Sequence, residues 1–136
     1  YCTMYGDMCG ALSVISDLNK IEVYDISKWL NDSSHSNVIP QSSIDKDPSA
    51  ELRENQRDPF DYNVVSPIVD FIVNDMLDKN TLSKMGYDTK LIEEIQNKIY
   101  LSEYKRRQAP PGIKVSEKAF GVGRRFPIIN KYRGKE

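Results

Sequence analysis

The sequence predicts a mainly helical chain with at most one or two short strands, and three observations carry this reading. Asn19 stands three positions before Glu22, the pairing of a capping box, and Val23, Ile26 and Leu30 follow at helical spacing. Ser66-Pro67 precedes an apolar stripe of Val69, Ile72, Val73, Met76 and Leu77, with the proline where a first helical residue is expected. Asp88 opens a third run in which Leu91, Ile92, Ile95 and Ile99 share one face.

Taken in order, Tyr5-Gly6-Asp7-Met8-Cys9-Gly10 is turn-prone at its glycines, and Leu12, Val14 and Ile15 around Ser13 suit a short strand or an extended segment. The first helix is expected over about residues 20–30, which puts Lys20 in its first turn. A helix N-terminus already presents positive potential, so lysine is an unusual choice there. Either the lysine and the helix end address one phosphate, or the side chain is a solvated surface lysine; position alone leaves both open.

Residues 31–37 read as a polar loop holding His35. It is the only histidine, which excludes a histidine metal cluster and favours a surface role. Residues 41–61 show no convincing period and are too long for an ordinary connector, so they are expected to be a disordered stretch or a functional lid. Within them Lys46, Ser49, Arg53 and Arg57 suit phosphate, and Asp47 and Glu51 suit orienting those cations or a metal. The second helix is expected over about residues 67–78, as core. Residues 81–85 add a turn closed by Gly86, and the third helix can run through Tyr104-Lys105-Arg106-Arg107 until Pro110-Pro111-Gly112 stops it.

Charge is distributed unevenly. Residues 103–125 carry seven basic side chains against two acidic ones, a net +5, whereas residues 1–102 hold 9 basic and 17 acidic, a net −8. The basic segment is expected to hold something anionic, with helix capping as the structural alternative for its cations at the end of the third helix. Phe120-Gly121-Val122-Gly123-Arg124-Arg125 adds only a weak phosphate signal.

The 136 residues fit one domain, and 39% hydrophobic with 29% charged side chains is a globular composition. No apolar run approaches the ~20 residues that cross a bilayer, and no signal-peptide pattern opens the sequence. Cys2 and Cys9 suit no common zinc knuckle, and two reduced thiols are expected rather than a disulfide. The chain starts at Tyr1 without a methionine and is expected to be a piece of something longer. It contains no Ser-His-Asp set, no CxxC pair, no HExxH, no Walker loop and no RNP pattern, hence no self-sufficient active site.

Five blocks in order resemble the synthetase domain of NAD synthetases. They are Tyr5-Gly6-Asp7-Met8-Cys9-Gly10, Ser16-Asp17-Leu18-Asn19-Lys20-Ile21-Glu22-Val23-Tyr24, Pro48-Ser49-Ala50-Glu51-Leu52-Arg53, Glu103-Tyr104-Lys105-Arg106-Arg107-Gln108-Ala109-Pro110-Pro111-Gly112 and Ala119-Phe120-Gly121. The likeness covers nearly the whole chain and is nearest to the long glutamine-dependent bacterial form.

The resemblance implies an α/β parent with a parallel sheet of the ATP-pyrophosphatase kind, residues 1–136 being the C-terminal portion of that domain. It implies a ligase that adenylates the carboxylate of deamido-NAD with ATP and magnesium and then amidates it with ammonia released from glutamine. The SGGxDS pyrophosphate loop, the acidic magnesium ligand and the glutaminase domain would lie upstream of Tyr1, so that the present segment supplies no catalytic nucleophile and would be inactive alone.

The implied roles fall on particular residues. Lys20 matches a lysine on the ATP phosphates, and Ser49 stands where related enzymes carry threonine or serine beside those phosphates. Asp7 matches an aspartate on the nicotinate-ribose half of deamido-NAD, and Tyr104 and Lys105 match the dinucleotide contact; the ammonia-only branch often has histidine in place of Tyr104. The loop around Ser49 would be a lid, although after Arg53 it departs from the commoner acidic, glutamine-rich version. A cytoplasmic homo-oligomer without nucleic-acid or membrane partners is implied. Two other readings stand beside this one: a non-catalytic nucleotide- or RNA-binding helical module using residues 103–125, and a structural helical piece supplying a subunit interface.

Overall fold

Four of the helices start on a side chain that the sequence spells out. The computed structural model describes residue 6 and residues 8–129. Among them it contains α1 (Lys20–Ser34), α2 (Gln41–Asp45), α3 (Tyr62–Val73), α4 (Lys79–Lys84), α5 (Thr89–Leu101) and α6 (Glu103–Gln108). Asn19, Asp61, Asp78 and Asp88 each accept a backbone N–H of the first turn that follows, satisfying a donor the helix itself cannot. Both halves of the capping box form: Asn19 accepts the Glu22 N–H at 3.0 Å and Glu22 accepts the Asn19 N–H at 2.7 Å. None of the described helices is long and apolar enough to cross a membrane.

The helical expectation holds, and no strand forms among the described residues. The segment around Leu12, Val14 and Ile15 makes only an isolated parallel bridge between Ser13 and Gly112. Several boundaries differ from the expected ones. α1 runs on to Ser34, because Asn31 grips the connection from inside the helix, donating to the Ile39 carbonyl at 2.8 Å and accepting its N–H at 2.9 Å. His35 then closes the helix in the left-handed region (φ 49°), at the surface as expected. Part of the supposedly periodless stretch is helical, as α2.

α3 begins at Asp61 rather than Ser66, so Pro67 lies inside the helix and deprives the Asn63 carbonyl of its usual partner. It also ends early, at Val73. The turn widens there, with Asp75 N–H on the Asp70 carbonyl at 3.3 Å and Leu77 N–H on the Phe71 carbonyl at 3.0 Å, and Met76 swings outward at φ 57°. Met76 is therefore off the core stripe. The expected continuous helix through Arg107 breaks at Ser102: Arg106 turns its guanidinium back onto the Ile99 carbonyl, the acceptor that an unbroken helix would give to the Glu103 N–H. α6 stops at Ala109, ahead of the prolines.

The core lies between α3 and α5. Val65, Ile68 and Ile95 are its buried centre, flanked by Phe60, Ile72, Leu91 and Ile99, and Leu82 of α4 is buried nearby together with Ile92. α1 packs on α3 but buries none of its own residues, and Trp29 is 66% exposed.

Two carboxylates that are buried fasten the C-terminal segment. Asp17, 4% exposed, accepts the backbone N–H groups of Val115 and Ser116 (both 2.7 Å) and Phe120 (2.6 Å), and the Ser116 hydroxyl at 3.0 Å. Arg124 stands 3.8 Å away and donates to the Lys118 carbonyl at 2.8 Å. Glu103, 1% exposed, accepts from Arg107 at 2.9 Å and Arg106 at 3.1 Å. Burial opposes charge on Glu103, yet Arg107, the Phe126 N–H and Arg106 together hold its carboxyl below the usual glutamate value. Finally, the Lys118 ammonium donates to the carbonyls of Val73 (2.6 Å) and Asn74 (2.9 Å), closing the open end of α3.

Lys118→Met keeps the stem and removes this cap; it should lower stability by about 1.5–3 kcal/mol, the worth of a hydrogen bond to a charged group, as a fall in the urea midpoint. Asp17 gives a pH signature. Burial raises its pKa, but the Ser116, Val115 and Phe120 amides and the Ser116 hydroxyl outweigh it and bring the value from 3.8 down to about 2. A depressed folded pKa means stability that is present above the unfolded value and lost as pH falls through the folded one. The stability gap between wild type and Asp17→Asn should therefore shrink by about 2 kcal/mol as pH is lowered from ~5 to ~2, measured by urea unfolding.

Candidate functional site

Lys20 is the first residue of α1, exposed, with its ammonium 5.8 Å from the centroid of the Tyr62 ring. Tyr62 opens α3 and donates its hydroxyl to Asp58 at 2.6 Å, and the Asp58 N–H bonds the Pro48 carbonyl at 2.8 Å. Pro48 adjoins Ser49. Lys20 and Ser49, the two residues expected on the ATP phosphates, are thus joined through Tyr62 and Asp58. The capping box already occupies the Asn19 and Glu22 N–H groups at the start of α1, so the exposed ammonium of Lys20, beside a loop tied at its base, is what this end offers an anionic group.

The loop carries its own bonding. Ser49, half-buried, accepts the Glu51 N–H at 3.1 Å, and Leu52 N–H bonds the Gln56 side chain at 2.9 Å. Lys46 pairs with Glu51, whose carboxyl it holds below the ordinary range, and Arg57 pairs with Asp47 at 3.0 Å. Of the cations expected to suit phosphate, Lys46 and Arg57 are therefore engaged by the acids expected to orient them. Arg53 is exposed and makes no ion pair among the described residues. With Asp47 and Glu51 committed, the described residues offer no cluster of three or more His, Cys, Asp or Glu fit to hold a metal. They do not fit a magnesium site of their own.

α6 separates two kinds of residue. Glu103, Arg106 and Arg107 form the internal ion-paired set, with Arg106 also 5.7 Å from the Phe126 ring. Tyr104, 40% exposed, and Lys105, half-buried, remain without an ion pair or hydrogen bond from their side chains among the described residues. Among the described residues, no hydrogen bond or ion pair links them to Lys20 or Ser49. Asp7 lies outside the described residues. An open polar cavity of about 740 Å³ at the far end of α1, lined in part by Lys28, Asp32 and His35, includes none of the expected site residues.

The basic segment is not a uniform anion-binding face. Arg106 and Arg107 serve Glu103, Lys118 caps α3, and Arg124 lies against Asp17 and the Lys118 carbonyl. Nor do its glycines form a phosphate loop. Gly121 at φ 85° turns the chain, and a Cβ on Gly123 would meet the Ala119 nitrogen at 2.5 Å; the tight turn aims the Phe120 N–H at Asp17. The Glu103–Arg106–Arg107 set was open to sequence reasoning, because i,i+3 and i,i+4 spacing puts those charges side by side on a helix. Asp17 carried no local signal, since its donors lie 98 to 103 positions away.

The family model described as NAD synthase matches residues 1–109. A glutamine-dependent NAD(+) synthetase of Xanthomonas campestris pv. campestris is 41% identical over 138 residues, covering 99% of this chain and 25% of the relative. That of Thermotoga maritima is 38% identical, covering 98% and 24%. The structure of glutamine-dependent NAD+ synthetase from Acinetobacter baumannii in complex with ADP superposes with a TM-score of 0.52 at 30% identity, over 99% of this chain and 24% of that one. The chain spans about a quarter of the length of these relatives. With most of its length matched by the family model and nearly all of it by the relatives, the chain belongs to the NAD synthase family.

Proposed function

We propose that the protein is an ATP-dependent ligase that adenylates the nicotinate carboxylate of deamido-NAD and amidates it with ammonia drawn from glutamine, giving NAD, AMP and pyrophosphate. Residues 1–136 are the C-terminal portion of its synthetase domain. The observation that carries this reading is the exposed Lys20 at the start of α1, joined through Tyr62 and Asp58 to the Ser49 loop, in a member of this family. The ADP complex of the Acinetobacter baumannii relative supports the use of a nucleotide.

The chemistry asks for what these residues offer. Attack of a carboxylate on the α-phosphorus of ATP needs preorganised positive potential on the phosphate oxygens, and a lysine at a helix N-terminus supplies it without reorganisation. Ser49 contributes a hydroxyl to the same oxygens. The self-bonded loop it sits on covers them, which would protect the acyl-adenylate from water. Lys105 and Tyr104 of α6 meet the dinucleotide, and Asp7 accepts hydrogen bonds from the nicotinate ribose. Magnesium accompanies ATP as its counter-ion, and no step of it is assigned to this chain. We place the enzyme in the cytoplasm as a homo-oligomer. A generic polyanion-binding module is the weaker reading, because Arg106, Arg107, Lys118 and Arg124 are committed inside the fold.

Lys20→Ala should reduce kcat/KM for ATP about 10²-fold or more, as loss of one preorganised charge contact does, with the far-UV circular dichroism spectrum unchanged. Unchanged steady-state kinetics would remove Lys20 from the site.

A further inference from the structure

Between Asp17 and Lys20 the chain has no slack. Ser16 bonds the Ser13 carbonyl through both its N–H (3.3 Å) and its hydroxyl (3.1 Å), and the Leu18 N–H bonds the Ile15 carbonyl at 3.2 Å. Asn19 is held at three points: its N–H and side-chain oxygen by Glu22, and its amide nitrogen by Asp70 at 3.0 Å. Asp17 sits inside this run and receives four donors from residues 115–120. That turn is itself fastened to α3 through Lys118, and α3 begins with the ring beneath Lys20. Residue 13 is itself paired with residues 111–112, its N–H bonding the Pro111 carbonyl at 2.9 Å, and Gly112 is approached so closely that a Cβ there would stand 2.1 Å from the Ser16 hydroxyl.

We infer that Asp17 is a positioning residue for Lys20, with the turn at residues 115–124 acting as the fixture that sets where the α1 N-terminus and its ammonium stand. The inference rests on the reading of Lys20 as the ATP-phosphate lysine. Asp17 has no need to touch nucleotide: four N–H and O–H groups converge on one carboxylate, and the peptide bonds from Asp17 to Lys20 transmit its position. An amide at Asp17 keeps the shape but turns one oxygen into a donor facing donors, so the turn is pushed away and Lys20 moves with its anchor.

The test is a cycle in the full-length enzyme with Lys20→Ala, Asp17→Asn and the double variant, reading kcat and the KM of each substrate. Asp17→Asn should lower kcat/KM for ATP at least about tenfold, within what a misplacement near 1 Å causes, while KM for deamido-NAD stays within about twofold. The double variant should be no worse than Lys20→Ala alone, the non-additivity of two residues acting as one unit. A purely structural carboxylate would instead lower kcat in proportion to the folded fraction, leave both KM values in place and multiply with Lys20→Ala; that result overturns the inference and leaves the proposed function standing. If Lys20→Ala itself changes nothing, the functional reading falls first and this inference with it. Should Asp17→Asn not fold, Ser116→Ala, which removes one donor to the carboxylate, takes its place in the same cycle with a smaller loss expected and the same pattern required.

Discussion

The turn at residues 115–120 hangs on a single carboxylate. Asp17 collects the amides of Val115, Ser116 and Phe120 and the Ser116 hydroxyl, and no hydrophobic cluster among the described residues holds that turn in place of it. Burying a charge is unfavourable unless its lone pairs are taken up, and here four short hydrogen bonds and a nearby Arg124 take them up. The same contact sets the entry to α1. The Asp17 carboxylate therefore ties residues 115–120 to the stretch that leads into the first helix.

The apolar core performs a different task. α3 and α5 bury their facing sides around Ile68 and Ile95, and α4 adds Leu82, which fixes the frame without defining the site. α1 contributes little to that core and depends on polar contacts at its start: the capping box, the Asn19–Asp70 hydrogen bond and Lys20 over Tyr62. Polar fastening leaves the start of the helix, with Lys20, facing solvent. The cost is that each fastening atom matters, since a lost partner leaves a group desolvated without compensation.

What the sequence disclosed followed the range of the interactions. Asn19 with Glu22, and Asp88 ahead of Leu91, are contacts three positions apart, and they were legible. The apolar stripes of α3 and α5 were legible because periodicity records which face is buried. The start of α3 was misjudged because Ser66-Pro67 is a strong local signal that Asp61 and the core contacts of Val65 override. The break at Ser102 and the early end of α3 depend on Arg106 and Lys118 reaching backbone carbonyls, which no pattern of residue types records. For the proposed site, helix position singled out Lys20 and loop composition Ser49, and the resemblance to a family assigned both to the ATP phosphates. Their connection through Tyr62 and Asp58 could be seen only in three dimensions, and so could the commitment of Arg106, Arg107, Lys118 and Arg124 inside the fold, which the net charge of residues 103–125 does not record.

The distance along the chain between Asp17 and its donors has a consequence for biosynthesis. A ribosome adds roughly 5–20 residues per second, so on the order of 5–20 s separate the appearance of Asp17 from that of its partners nearly a hundred positions later. During that interval α1 can form on its own cap, but the carboxylate behind it remains hydrated and the helix start remains unanchored. Closing a loop of this length carries an entropic cost that grows only slowly with size, so the clasp can still form once the turn has emerged. The final geometry at the α1 N-terminus is thus set only after the turn at residues 115–120 has been made.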